Sequence, residues 1–460
     1  MRKLAVLLSV LAMLATACGD RGSDASGGAG STDTTAPADG GDGGDDGGGG
    51  AGDFGELEAV CGPNEGGGEV VDDPEDAQGV SADEIVVGTV ADPGFQGRPG
   101  LNQELFDSGK AFVQWCNEQG GINGKTLTLN EHDAALTDYG PVIDEACETD
   151  FALVGGGAVQ DNLWEETGAA CGLVDVAGFA VTSVKAGLAG DSPDDRRTIQ
   201  PLPNPGDRYP VGAVKLVLEE FPDVAEAGSF LYSDFQTIVE QRNKEQQGLE
   251  EVGITFGDPQ VYNINGEDNW KPFATALEQD GVQFMKFIGE PTNAGNLLAA
   301  MDQVGYQPEV RFFETNFYDQ SLLDAAGPGA EGIYISSAFA PLEEADDNPA
   351  TAKYLELLEA VDGKVSVLGL QSMSAWLLFA TMAKDCDLDG DLTRTCLLEK
   401  AGAVTDWTGG GLHAPSNPSE NEGSECQMVM TVTEGTFERW APAEGFSCDP
   451  SNIATVEPPE

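Results

Sequence analysis

The run Ile85-Val86-Val87-Gly88-Thr89-Val90 restricts this chain more than any other stretch. β-Branched side chains suit a pleated backbone, and a run without polar alternation reserves no face for water. Such a strand is buried on both sides, as in a parallel sheet covered by helices. Parallel neighbours need crossover connections, so helices must alternate with strands downstream. The sequence complies. Leu105, Phe112, Val113 and Cys116 recur at helical spacing up to Gly120, where a helix end must take φ > 0. Asn123-Gly124 then reads as a tight reversal, and 125–130 alternates as a strand. Taken alone, 120–125 is either an ordinary loop between helix and strand or a hairpin turn. A helix at 139–148, a strand at 151–154, a helix at 161–170 and a strand at 172–176 follow.

After Pro201-Leu202-Pro203-Asn204-Pro205 the rhythm restarts. Strands are expected at 229–232, 260–263, 282–288, 310–314 and 332–336. Helices are expected at 211–221, 237–252, 272–279, 294–304 and 319–326. From Pro349 helices dominate, at 352–361, 370–384 and 392–401. A strand pair at 428–433 and 436–440 closes the body, and the tail beyond Cys448 carries no core signal. A chain of 460 residues exceeds one core and suits two globular units. The class is α/β: two doubly wound Rossmann-like units in succession.

Acidic residues number 80 against 22 basic ones, a formal net charge of −58. Phosphate contacts need clustered Lys and Arg, so nucleic acid is excluded as a partner. The 2 histidines, His132 and His413, exclude a multi-histidine metal site. His132-Asp133 reads as a polar pair at a strand end, because no GxSxG elbow supplies a nucleophile. Gly155-Gly156-Gly157 follows a strand and reads as a backbone-lined crevice for a small polar ligand. It lacks both the Lys-Ser/Thr of a P-loop and GxGxxG spacing. Asp385, Asp387, Asp389 and Asp391 open like a calcium loop, but Cys396 stands where a bidentate Glu belongs. The competing reading is an acidic turn with Asp391 capping the next helix. No catalytic, metal or cofactor constellation emerges.

Residues 1–17 have the form of an export signal: Arg2 and Lys3, then an apolar run too short to span a bilayer. The run ends in Leu14-Ala15-Thr16-Ala17-Cys18-Gly19, which resembles a bacterial lipobox with Cys18 as the lipidated N-terminus. A soluble secreted form cleaved after Ala17 is the alternative. Residues 18–56 read as a disordered Gly/Asp/Ser tether and 57–79 as a lead-in. With Cys18 set aside, 8 of the 9 cysteines remain, an even number in an exported chain. Locality suggests Cys386–Cys396, Cys426–Cys448, Cys147–Cys171 and Cys61–Cys116, although spacing alone does not derive connectivity.

The string Phe112-Val113, then Asn117-Glu118-Gln119-Gly120-Gly121-Ile122-Asn123-Gly124-Lys125, before a strand ending in Asp133, resembles the extracellular solute-binding proteins of the leucine/isoleucine/valine-binding type. These are type I periplasmic binding proteins. The resemblance implies two lobes joined by three crossovers, at 80–201 plus 339–404 and at 202–338 plus 405–448, with a tail at 449–460. It implies a small-molecule ligand between the lobes, no cofactor, and delivery to an ABC permease by a lipid-anchored carrier outside the cell membrane. By position, the first lobe would offer Phe95 and Gln96, then Ala158 and Gln160, then Gly178, Phe179 and Ala180. The second would offer Tyr232, Phe235, Glu290, Thr315 and Asn316, with Phe339 at the second crossover. Two departures stand out. The serine that holds an α-carboxylate is missing from 157–160, and Thr315 or Asn316 replaces the acid that grips an α-amino group, unless Glu314 turns in or Glu290 serves instead. The expected ligand is a small polar metabolite, whether amino acid, amide or related compound. A sensing ectodomain shares the fold, and a secreted α/β enzyme using His132 is the third reading.

Overall fold

A computed structural model describes residues 50, 52–68, 70–73 and 75–458. The export signal, Cys18 and the tether up to residue 49 lie outside the described residues. In chain order the first elements are β1 (Glu84–Ala91), α1 (Gln103–Glu118), β2 (Thr126–Asp133), α2 (Tyr139–Thr149) and β3 (Ala152–Val154). Then come β4 (Asp175–Val176), α3 (Ser183–Ala186), α4 (Pro193–Arg196) and β5 (Thr198–Ile199). These strands form an all-parallel sheet in the order β2-β1-β3-β4-β5.

A second round begins with β6 (Arg208–Pro210), α5 (Gly212–Glu220), β7 (Gly228–Ser233), α6 (Gln236–Glu251) and β8 (Gln260–Tyr262). It continues with α7 (Lys271–Gln279), β9 (Phe284–Phe287), α8 (Pro291–Val304), β10 (Val310–Phe313), α9 (Gln320–Ala326) and β11 (Tyr334–Ser337). Here the parallel order is β8-β7-β9-β10-β11, the same winding as in the first sheet. The chain then returns to the first sheet as α10 (Pro349–Ala360), α11 (Val367–Leu388) and α12 (Arg394–Ala401). It ends on the second with β12 (Cys426–Thr433), β13 (Thr436–Ala441), β14 (Ser447–Cys448) and β15 (Ile453–Thr455). Two doubly wound lobes joined by three crossovers result.

α11 has apolar residues on every side because most of it, up to Ala383, is buried on every side. Trp376 is fully buried in it and stacks on Phe112 of α1 at 5.3 Å. Burying a side chain of that size contributes roughly 2–3 kcal/mol. The stretch 120–125 forms the expected reversal, with Asn123 at φ 48° and Gly124 at φ 88° between the paired Ile122 and Lys125. It is also a docking point. Gly62 N–H donates to Gly121 O at 2.7 Å, Asn123 Oδ1 accepts from Glu65 N at 2.7 Å, and buried Lys125 Nζ reaches Ser81 O at 3.1 Å. Disulfides join Cys61–Cys116, Cys147–Cys171, Cys386–Cys396 and Cys426–Cys448.

Several expectations fail. The helix at 161–170 is only a 3₁₀ turn, Asp161–Leu163, followed by irregular turns. Trp164 packs so closely under Gly168 that a Cβ there would sit 2.0 Å from its ring. The end of the tether is folded, since Phe54 is fully buried against Trp115. The tail is no loose end either: β15 pairs with β6, and Ala454 and Val456 are buried. Asp385 and Asp387 lie in the last turn of α11, with Asp387 buried 3.6 Å from Lys125 Nζ. The next helix is capped by Thr393, which accepts from Cys396 N–H at 3.0 Å, and not by Asp391.

Candidate functional site

Strands of one direction end on one side, so the loops after them converge. Here the carboxyl ends of both sheets face a single cavity of ≈ 350 Å³. Its first-lobe wall comes from the loop after β1 (Phe95, Arg98), the loop after β4 (Phe179, Ala180) and Leu368 of α11. Its second-lobe wall comes from the loops after β9 (Glu290) and β10 (Glu314 to Phe317) and from Gln241 and Glu245 of α6. The first crossover contributes Pro203 and Asn204, and the second contributes Phe339.

The three crossovers are bound into one hinge. Ala340 N–H donates to Leu412 O at 2.9 Å and Ala414 N–H to Ala338 O at 2.8 Å, which pairs the second crossover with the third. Ser416 of the third donates its hydroxyl to Pro201 O of the first. His413 sits inside this bundle with its Nδ1 2.8 Å from Ala414 O and its Nε2 2.8 Å from Ser374 Oγ. A carbonyl only accepts, so Nδ1 carries the proton and Nε2 accepts from the hydroxyl. Ser374 Oγ in turn accepts from Trp407 Nε1 at 2.9 Å. Burial pushes His413 down to about 4, so it is neutral at neutral pH. This Ser-His pair is a hinge contact with no opening for a substrate. His132 is likewise buried, bonded through Nε2 to Asp150 Oδ2 at 2.6 Å.

Two ion pairs close the cleft from lobe to lobe. Arg98 Nε lies 2.7 Å from Glu290 Oε2 and also reaches Thr292 Oγ1. Lys364 Nζ lies 2.6 Å from Asp319 Oδ2 and 2.9 Å from Glu104 Oε2. Burial pushes Glu104 up against the pull of Lys364, while Glu104 and Asp319 outweigh burial and raise Lys364. At the floor, Lys286 Nζ is fully buried, 2.6 Å from Glu314 Oε1 and 3.0 Å from Glu245 Oε2. Burial pushes Glu245 up, opposed by Lys286; on Lys286 the opposite terms apply, and the two carboxylates win. Tyr209 hydroxyl donates to Glu314, and burial followed by that carboxylate raises its phenol well above the ordinary range. Lys244 stands beside this group and clasps Pro205 O at 2.7 Å; burial lowers it to about 8.

Of the thirteen ligand positions named from the sequence, Phe95, Phe179, Ala180, Glu290, Thr315, Asn316 and Phe339 line the cavity. Glu290 is not free to act as a counter-ion. It caps α8, accepting from Thr292 N at 2.8 Å and Asn293 N at 2.7 Å, and its remaining capacity goes to Arg98. Asn316 Nδ2 is spent on Gly289 O at 2.9 Å. The other six stand elsewhere. Gln96 is exposed and bonds Gly94 O, Ala158 is buried behind the loop, and Gln160 points away from the cavity. Gly178 packs on the backbone of Gly155 and Gly156. Tyr232 lies under Arg242, whose guanidinium is 5.3 Å from its ring, and Phe235 immediately precedes α6 and does not line the cavity. The 155–157 crevice is also absent as a ligand surface. Gly155 and Gly157 donate to Val176 O and Val90 O at 2.8 Å, and a Cβ on Gly155 would meet Trp376 at 2.5 Å. Arg98, Lys364, Tyr209 and Gln427 were not anticipated. Arg98 and Lys364 reach it from loops and Tyr209 and Gln427 from strands β6 and β12, each brought there by tertiary packing, so local pattern carries no signal for them.

Two sheets of identical winding, three bundled crossovers and an interlobe cavity define a type I periplasmic binding protein fold. A family profile described as "Periplasmic binding protein" matches residues 228–436, wholly outside the glycine motif that suggested the resemblance. Among solved structures, a fatty acid ABC transporter substrate-binding protein from Thermomonospora curvata aligns with TM-score 0.67 at 15% identity, covering 82% of this chain and 95% of that one. A branched chain amino acid ABC transporter from Thermus thermophilus with bound valine aligns with TM-score 0.65 at 13% identity, covering 80% and 97%. The leucine binding protein LivK from Thermotoga maritima aligns with TM-score 0.61 at 12% identity, covering 78% and 98%. No curated protein matches by sequence. The fold expected from the resemblance at 112–133 is the fold found, and the matched profile is that of periplasmic binding proteins.

Proposed function

We propose that this chain is the solute-binding component of an ABC importer, held on the outer face of the cell membrane by lipid on Cys18. The observation that carries the reading is the ≈ 350 Å³ cavity walled by both lobes, with ion pairs between lobes at its rim and a three-strand hinge behind. A clamp of this kind binds by closing, and the closed form is what a permease would read. The lobes divide near 201, 338 and 405, and the wall residues Phe95, Phe179, Ala180, Thr315, Asn316 and Phe339 would meet the ligand. The valine and fatty acid in the neighbours' titles support a ligand with an apolar body. A thermal-shift screen followed by small-angle scattering tests the reading. A ligand at 100 times Kd should stabilise by about 2.7 kcal/mol and reduce the radius of gyration. Stabilisation without compaction would refute the clamp. Separately, mass spectrometry should find Cys18 diacylated, and Cys18→Ser should release the protein to the medium.

A further inference from the structure

Resting on the solute-binding reading above, we infer that the ligand is an organic cation with an apolar body and no carboxylate. The first-lobe wall is the place where an anionic group would find free backbone N–H donors. In this chain its own carboxylates already take them. Asp92, fully buried, accepts from Leu136 N at 2.8 Å and Val159 N at 2.9 Å. Asp161, also fully buried, accepts from Val181 N at 2.6 Å and Thr182 N at 3.1 Å. Leu136, Val159 and Val181 line the cavity, so an incoming carboxylate would find these three N–H groups already taken from behind.

Charge at the cavity points the same way. Arg98 is paired with Glu290, Lys364 with Asp319 and Glu104, Lys286 with Glu314 and Glu245, and Arg208 with Asp207. Each of these four bases already faces a carboxylate, Lys244 beside the floor is held by Asn204 Oδ1 and Pro205 O, and the carboxylates lining the cavity outnumber the bases there. Among the described residues no donor reaches Glu314 Oε2, although this residue lines the cavity. Of the buried polar atoms without a hydrogen bond at the wall, Gln241 Oε1, Gln371 Oε1 and Glu245 Oε2 only accept, Thr315 Oγ1 both donates and accepts, and Gln427 Nε2 only donates. Gln427 is 3% exposed, its Oε1 being spent on Ala213 N at 2.9 Å. A ligand completing this wall brings donors and positive charge for Glu314, one acceptor for Gln427, and rings or chains for Phe95, Phe179, Phe287 and Phe317. Aromatic faces also favour a cation. A net charge of −58 attracts cations and repels anions on approach.

Isothermal titration of the full chain with matched probes tests this: 2-phenylethylamine, 2-phenylethanol, 3-phenylpropanoate and phenylalanine. The amine should bind at least about tenfold tighter than its isostere 2-phenylethanol and the two carboxylates, as a charge-assisted hydrogen bond in a desolvated cleft gives. Glu314→Gln should remove that preference while 2-phenylethanol binding persists, which shows the cavity intact. If 3-phenylpropanoate or phenylalanine binds as tightly as the amine, or if the amine keeps its preference in Glu314→Gln, the inference is overturned and the solute-binding reading survives. If a folded wild-type protein binds none of the four, the inference is overturned, and the solute-binding reading is decided separately by the thermal-shift screen and scattering.

Discussion

Replacing Lys286 with Met tests the electrostatics of the cavity floor. Met matches the stem of the lysine, so packing is nearly conserved. What is lost is the ammonium 2.6 Å from Glu314 Oε1 and 3.0 Å from Glu245 Oε2. Glu314 is 21% exposed and can recover hydration, whereas Glu245 is 1% exposed and cannot. Breaking a buried pair in this way typically costs about 3–5 kcal/mol. Protonation of Glu245 sets the ceiling. At pH 7.5, neutralising a carboxyl of ordinary pKa about 4.3 costs about 4 kcal/mol, and at pH 5.0 about 1 kcal/mol. In the variant the folded pKa of Glu245 lies above its unfolded value, so the folded protein holds the extra proton. Stability is then lost as pH rises and regained as it falls toward 5. Urea denaturation at both pH values measures the difference. The variant should lose about 4 kcal/mol at pH 7.5, roughly 5 °C in Tm, and about 1 kcal/mol at pH 5.0. An equal loss at both pH values, or a loss below about 1.5 kcal/mol at pH 7.5, refutes the reasoning.

Arg98→Ala removes a latch whose partners are 31% and 15% exposed, so the unliganded protein should lose under about 1 kcal/mol. Ligand affinity should fall about two- to fivefold, because closure loses that contact; an unchanged affinity would show that the latch plays no part in binding. Tyr232→Ala lies off the cavity and should leave affinity unaltered while costing about 1–3 kcal/mol of stability, read by ligand titration and urea denaturation on one preparation. His413, buried with a folded pKa of about 4 against an ordinary 6.5, contributes stability that is complete above pH 6.5 and lost as pH falls toward 4. Its Cε1 proton resonance should stay fixed from pH 7.5 to 5.5, and a titration midpoint above 6 would contradict the buried hinge.

The fold was legible because its strongest signals are local. The uninterrupted β1 run demanded a parallel sheet, and α1 kept its apolar period up to the Gly120 stop, as α8 did up to Gly305. The segments that misled are those where tertiary contacts override local pattern. Residues 161–170 look helical, but Asp161 is committed to the 181–182 backbone and Trp164 fills the space beneath Gly168. The tail looked coreless because a three-residue strand has no period, and its partner Arg208–Pro210 lies 245 positions upstream in register.

The site was legible by loop and illegible by atom. Family position identified the loops after β1, β4, β9 and β10, and the structure brings these together around the cavity. Which side chain turns inward depends on which polar atoms are already satisfied, and that is settled by partners far along the chain. Glu290 looks like a free acid from sequence, yet Arg98, 192 residues earlier, and the first turn of α8 consume it. Glu314 looks like the end of a strand, yet Lys286 and Tyr209 fix one oxygen and leave the other toward the cavity. The same logic explains why the rim is ionic. The Arg98–Glu290 pair, part-exposed on both sides, contributes little and separates at little cost, so it aligns two lobes without locking them. An apolar rim of equal area would favour the closed state with or without ligand, and a clamp so biased would no longer report that it is loaded.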